Sequence, residues 1–223
     1  MSKPTLKAKY DTGSKSAAGV LLLGVGDLRL KLACTDRSFA SSGSGGRELT
    51  GVAIGVEKPQ VFSIDYDAAT KATKFVFRSS ASIKGKTVKL AYSHNHIHPQ
   101  ETSKSPTTTL ESTLVFDSKN SVSGKYNFSA AKLAAIKYRY IHTSDTTLEP
   151  SYDFATASWS FHATHNPSSR DTLTAAYNGS THAVDLEWVR KSDTGSFRVG
   201  CKRPVGGTSK PPVVRFEKTW NLS

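Results

Sequence analysis

Residues 150–165 read PSYDFATASWSFHATH. Trp159, Phe161 and Ala163 alternate with Ser158, Ser160, His162 and Thr164. A β-strand sends successive side chains to opposite faces, so this stretch is a strand with one greasy and one polar face. What the greasy face touches decides the fold. It is either the core of a soluble β-sandwich or lipid.

The same alternation recurs on both sides of this stretch. Strand patterns fall at about 5–10, 17–24, 27–34, 49–57, 60–67, 73–79, 86–94 and 108–117, and again at about 121–128, 134–142, 147–154, 158–165, 172–178, 182–190, 195–202 and 212–220. Short turns separate them. Asn178-Gly179 reads as a two-residue hairpin turn. Asp11-Thr12-Gly13, Ile83-Lys84-Gly85-Lys86 and Asp193-Thr194-Gly195 place glycine where a positive φ is useful. Helical periodicity is weak; Ser129–Ala135 (SAAKLAA) reads as a turn or strand lead-in. Three longer polar loops are expected, at Ser38–Arg47, His94–Pro106 and Arg203–Pro212. No linker divides the chain, so residues 1–223 form one domain.

The two faces differ in chemistry. One carries Leu28, Leu30 and Leu32, Phe62, Ile64 and Tyr66, Val184, Leu186 and Trp188, and their equivalents on other strands. The other carries Lys7, Lys9, Arg29, Lys31, Lys74, Arg78, Lys89, Lys125, Lys137, Arg139, Arg198, Lys202 and Arg215. Acids share it, among them Asp65, Glu111, Asp153, Asp185, Glu187 and Glu217. Tyr10, Tyr66, Tyr92, Phe116, Tyr140 and Trp220 sit late in their strands, where headgroup-level aromatics belong in a membrane protein.

Bulk composition hides such a pattern. Hydrophobic residues make up 37% and mean hydropathy is -0.39, values that look soluble. A strand greasy on one side only averages to neutral, as membrane barrels do. No run approaches the roughly 20 apolar residues of a membrane helix; Ala17–Val25 is nine residues long. The opening MSKPTLKAKY has no secretory or transit pattern, so no cleaved presequence is expected. Sixteen strand patterns are too many for a sandwich, which typically uses seven to nine. Their lengths approach the roughly 9–11 residues of a membrane strand. The reading is an all-β, antiparallel transmembrane β-barrel of about 14–16 strands, with 12 as an alternative count. The rival is a soluble β-sandwich binding an anionic partner through a basic face.

Enzyme and metal motifs are weak. There is no GxSxG nucleophile pattern, and GSGG at 43–46 lacks the remainder of a phosphate-binding loop. His94, His96 and His98 in HNHIH could approach a zinc ion, but no fourth ligand is evident, so they read as solvated. Cys34 and Cys201 lack metal spacing and read as free thiols. No catalytic residue, cofactor or metal is expected. The net charge of +12 calls for anionic partners. The lysines are spread over most strands rather than clustered, which suits a lined cavity better than a nucleic-acid patch.

Several segments resemble the chloroplast outer envelope pore protein family of the 24-kilodalton class: LEPSYDFATASWSFHATH, LEWVRKSDTGSFRVG, FEKTWNLS, GVEKPQVFSIDYD and LKAKYD. The resemblance covers nearly the whole chain in matching order, with a longer His94–Pro106 segment. It implies an integral β-barrel channel of the plastid outer envelope membrane that is not an enzyme. The implied solutes are triose phosphates, phosphate, dicarboxylates, ATP, sugars and amino acids, passed with weak selectivity and a slight cation preference. The charge count instead points to mainly anionic solutes. Membrane lipid and small anionic metabolites are the expected partners, nucleic acid is not, and a homo-oligomer is left open.

Overall fold

The structure, a computed structural model, describes residues 4–39, 51–97, 106–206 and 211–222. The described residues form sixteen strands: β1 (Thr5–Asp11), β2 (Ser16–Val25), β3 (Leu28–Thr35), β4 (Ala53–Lys58), β5 (Phe62–Asp67), β6 (Ala72–Ile83), β7 (Lys86–Ile97) and β8 (Thr107–Val115), then β9 (Asn120–Asn127), β10 (Lys132–Thr143), β11 (Thr146–Asp153), β12 (Ser158–His165), β13 (Asp171–Asn178), β14 (Ala183–Ser192), β15 (Gly195–Pro204) and β16 (Val213–Asn221). Each pairs antiparallel with its sequence neighbour. β1 pairs with β16 from Thr5 opposite Asn221 to Asp11 opposite Arg215, which closes the barrel. Closure excludes the soluble sandwich, since a sandwich keeps two separate sheets.

The barrel has no packed core. Only Val76, Ile97 and Ala183 are buried hydrophobics among the described residues, and no large side chain is fully enclosed. Accessible surface is 14819 Å². A compact soluble chain of 24.1 kDa would show roughly 10,000 Å². The excess follows from a wall one residue thick and wetted on its inner side.

Antiparallel partners share a face, so the ladders sort every strand residue. Leu6, Leu21, Leu32, Ile54 and Tyr66 form one outer row, paired in sequence from β1 to β5. Ile54, Trp159, Phe161 and Leu186 are all more than half exposed, the exposure expected of side chains that meet lipid. Ring contacts tie the outer band together: Tyr152 lies 5.1 Å from Trp159, and Tyr126 5.1 Å from Phe128. Cys34 and Cys201 face outward within this band as free thiols. Lys218 also faces outward, half-buried between Ala8 and Phe197. Its long stem lies along apolar neighbours, as lysines near membrane edges commonly do.

The turns at the two rims differ. The rim that holds both chain ends has mostly two-residue turns, including Lys84-Gly85 with both residues at positive φ. The other rim carries the long connections after β3, β7 and β15. It also carries five four-residue turns built alike. Asp11, Asp67, Asn127, Asp153 and Asn178 each close a strand and accept a backbone N–H two or three residues on. The residue four positions later, Lys15, Lys71, Ala131, Ala157 or His182, takes the left-handed conformation before the chain re-enters a strand.

This corrects three sequence readings. Asn178-Gly179 is not a two-residue turn; Asn178 caps a four-residue turn and the positive φ falls on His182. Gly179 serves close approach instead. Its N–H donates to the Trp159 carbonyl at 2.9 Å, and a Cβ there would lie 2.3 Å from that oxygen. Residues 94–97 belong to β7 rather than to a loop, because Thr73 and Phe75 on β6 supply ladder partners for His96 and His94. Arg203 and Pro204 likewise belong to β15, paired with Val184 and Ala183. The expected loop at 38–47 lies largely outside the described residues, as does His98.

Two expectations follow. Leu186→Arg should lower barrel stability by about 2–4 kcal/mol, the cost of an arginine on the lipid face near mid-bilayer. Ser160→Arg, on the lumenal face, should fold normally; equal yields of both variants in liposome refolding would contradict the face assignment. The second concerns the turn after β8. Asn120 through its side chain, then the Lys119 N–H, hold the Asp117 carboxyl below its ordinary pKa. A carboxyl lowered in the folded state stabilises above its unfolded pKa and loses that stabilisation as pH falls through the folded value. Protection of the Lys119 and Asn120 amides against hydrogen exchange should therefore drop on acidification below the usual carboxylate range. Asp117→Asn should abolish that pH dependence.

Candidate functional site: the lumenal wall

The polar face is the concave one. Lys31 on β3 reaches Asp65 on β5 at 3.0 Å, across the whole of β4. Arg215 on β16 reaches Asp185 on β14 at 2.6 Å, across β15. Adjacent strands stand about 4.8 Å apart, so these pairs span two strand spacings. Side chains converge that way only on the inside of a curved sheet. Glycine makes room beneath each pair. A Cβ on Gly55 would lie 2.5 Å from Asp65 Oδ1, and one on Gly200 would lie 3.4 Å from the Arg215 guanidinium.

The register places all thirteen basic residues singled out in the sequence on this face. Lys7 and Lys9 lie on β1, Arg29 and Lys31 on β3, Lys74 and Arg78 on β6, Lys89 on β7 and Lys125 on β9. Lys137 and Arg139 lie on β10, Arg198 and Lys202 on β15, and Arg215 on β16. Asp153, Asp185 and Glu187 lie there too. The ladders add charges that the sequence reading did not assign: Lys132 and Lys191, and the acids Asp11, Glu57, Asp67 and Glu149. Alternation alone would have found Glu57 and Glu149, each beside an apolar residue of the outer band, Val56 and Leu148. β2 is different. Ala18, Val20 and Leu22 face the lumen while Leu21 and Leu23 face outward, so this strand is apolar on both sides.

Charge is not spread evenly around the wall. On β14, β15, β16 and β1 three of the six lumenal cations are held in ion pairs, while Lys7, Lys191 and Lys202 have no carboxylate within 4.0 Å among the described residues. Arg215 holds Asp185, Arg198 holds Glu187 at 3.4 Å, and Lys9 holds Glu217 at 3.0 Å. A cavity of about 340 Å³ lies against this lattice, lined by both signs. Arg29–Glu57 and Arg139–Glu149 are further pairs, at 3.4 and 3.7 Å. Asp153 is held by its turn, accepting the Ala155 and Thr156 N–H groups. Between β6 and β10 the picture changes. Among the described residues, Lys74, Arg78, Lys89, Lys125 and Lys137 have no carboxylate within 4.0 Å. This wall stands roughly half a turn from the lattice, since β7 is eight strands from β15.

Two of the clustered histidines lie on the outer face of β7. His94 and His96 lie side by side, ring centroids 6.3 Å apart, and His94 Nδ1 is 2.9 Å from the Thr108 hydroxyl. No group of three metal-ligating side chains occurs among the described residues.

Sixteen antiparallel strands around a wet, charged lumen define a porin-type barrel, the size class that leaves an aqueous channel. The likeness to solved structures agrees. A mutant of the Rh. blastica porin superposes with a TM-score of 0.54 over 97% of both chains, at 8% identity. The chain belongs to the outer envelope pore protein 24 family, whose model matches residues 2–223. Outer envelope pore protein 24B, chloroplastic, of Arabidopsis thaliana is 32% identical over 99% of this chain and 98% of that protein. Outer envelope pore protein 24, chloroplastic, of Oryza sativa subsp. indica is 33% identical over 98% of each chain.

The glycine under the Lys31–Asp65 pair offers a test of how wet the wall is. Gly55→Ala should displace the Asp65 carboxylate and break the pair. Because water screens exposed ion pairs, the loss of stability should be about 1 kcal/mol or less in urea titration. A loss several times larger would show that the pair is shielded from solvent.

Proposed function

We propose that this protein is a passive channel of the plastid outer envelope, integral to the membrane and without enzymatic activity. It passes small, mainly anionic metabolites: triose phosphates, phosphate, dicarboxylates, ATP and amino acids, with weak selectivity. The names of its relatives support the compartment and the pore. The observation that carries the anionic preference is the wall of unpaired cations between β6 and β10, facing acids that are already neutralised.

The mechanism is electrostatic enrichment. Among the described residues the register turns fifteen basic and ten acidic side chains to the lumen, a net positive wall. Fixed positive charge raises the local concentration of counter-ions and speeds their entry. A wide lumen lets hydrated solutes pass without losing their water. Screening beyond about 8 Å at physiological salt keeps selectivity weak. Asp185 and Glu187 are the acids that could reverse the preference by forming a cation site. Their pairing with Arg215 and Arg198 argues against that.

The reversal potential in a KCl gradient across a planar bilayer tests this. It should have the anion-selective sign, and Lys125→Gln with Lys137→Gln should move it toward zero. Arg215→Gln should move it further per charge removed, because it also releases the Asp185 carboxylate. A wild-type potential of cation-selective sign would overturn the anionic reading.

A further inference from the structure

We propose that the notch where β6 runs past β5 is an oxyanion station, a binding site for the phosphate group of a passing solute. It rests on the channel function above and assigns one place in the wall to it. β5 stops pairing with β6 at Phe62 opposite Phe77. The last bond across that seam is the Arg78 N–H donating to the Val61 carbonyl at 2.7 Å. β6 then continues to Ile83 with β7 on its other flank alone. Backbone groups of an antiparallel strand point alternately to its two flanks. Since the Arg78 N–H points toward β5, those of Ser80 and Ser82 point the same way, where no strand stands. They are open donors at the edge of a wet gap.

Two free cations converge on the same spot. Arg78 lies opposite Ala91, and Ser80 opposite Lys89, so Arg78 and Lys89 are diagonal neighbours on the lumenal face. The one acid beside them is Glu111, across Ala91; it lies opposite Lys125 in the ladder but forms no ion pair within 4.0 Å among the described residues, so two cations here face one carboxylate. Thr113 flanks Lys89, with its hydroxyl tied to Ser123 at 2.8 Å. Gln60, Arg78, Ser80, Lys89, Glu111 and Thr113 line a cavity of about 250 Å³ there. At roughly 30 Å³ per water that is space for about eight waters, enough for a phosphate with a short carbon chain.

The chemistry selects phosphate. A phosphate monoester offers three acceptor oxygens and close to two negative charges. Arginine's planar fork meets two such oxygens at once, lysine adds a point charge, and a hydroxyl and a backbone N–H remain for the third. Chloride cannot use the fork's two parallel donors, and a carboxylate brings half the charge. Lys125 and Lys137 lack this combination, because both flanks of their strands are paired. The station lies near the rim that holds the chain ends and is open to water, so capture there is brief. Brief, multi-site binding is what conduction requires.

The test uses the full chain in planar bilayers, with chloride carrying the current and glycerol 3-phosphate as the probe. Millimolar probe should depress the chloride current. Arg78→Gln with Lys89→Gln should raise the half-inhibiting concentration at least tenfold, whereas Lys125→Gln with Lys137→Gln, the same loss of charge elsewhere on the wall, should raise it less than threefold. Ser80→Pro removes one open donor without touching the β6–β7 ladder and should raise it several-fold. If the first pair fails to insert, Lys89→Gln alone carries the comparison. Equal effects of the two double variants would reduce the station to a diffuse field and overturn it, as would a wild-type current indifferent to the probe. The KCl reversal potential on the same membranes judges the anionic reading separately. A cation-selective channel still blocked through Arg78 and Lys89 would sink that reading and keep the station.

Discussion

Hydrogen-bond closure governs this molecule. In hydrocarbon an unpaired backbone N–H or C=O costs several kcal/mol, so a sheet can cross a membrane only if its two edge strands meet. Here they meet through β1 and β16, seven residues against seven, from Thr5 opposite Asn221 to Asp11 opposite Arg215. The rest follows from that seam. With the two end strands joined, each strand has one outer face and one lumenal face, and the period of two sorts every side chain between them.

The barrel does not depend on a packed core. Few side chains are buried against each other. The outer rows of Leu, Ile, Phe and Trp are apolar, as a bilayer requires. The ion pairs inside are wet and individually weak, so they contribute more to the charge map than to folding. Pairing silences the acids on β14 and leaves the cations on β6 to β10 available. Glycine takes part in this map at positions 55 and 200, where the absence of a side chain lets partners two strands apart touch.

The rims divide the labour. Asx-capped four-residue turns and the long connections share one rim, while the other keeps turns short and holds the chain ends. The step between β5 and β6 lies on that second rim. It leaves backbone donors beside free cations, so it is the part of the wall with most to offer an oxyanion.

How much of this was legible in the chain itself depends on range. Alternation in SWSFHATH, or in Leu28 to Leu32, is a local property, and local sterics turn it directly into two faces. All sixteen strands, and the lumenal side of residues such as Lys9, Arg78 and Asp185, could therefore be read before any coordinates. Turn chemistry was partly legible. Lys84-Gly85 was placed correctly, whereas Asn178-Gly179 was not, because two turn types share an asparagine at their start and differ only in where the chain rejoins its partner. Lys31 with Asp65 and Arg215 with Asp185 were not legible. They are 34 and 30 residues apart and meet only because the sheet curves. The two-faced apolar character of β2 and the open flank of β6 were hidden for the same reason. Pairing register and curvature are set by closure of the whole barrel, and no single segment contains that information.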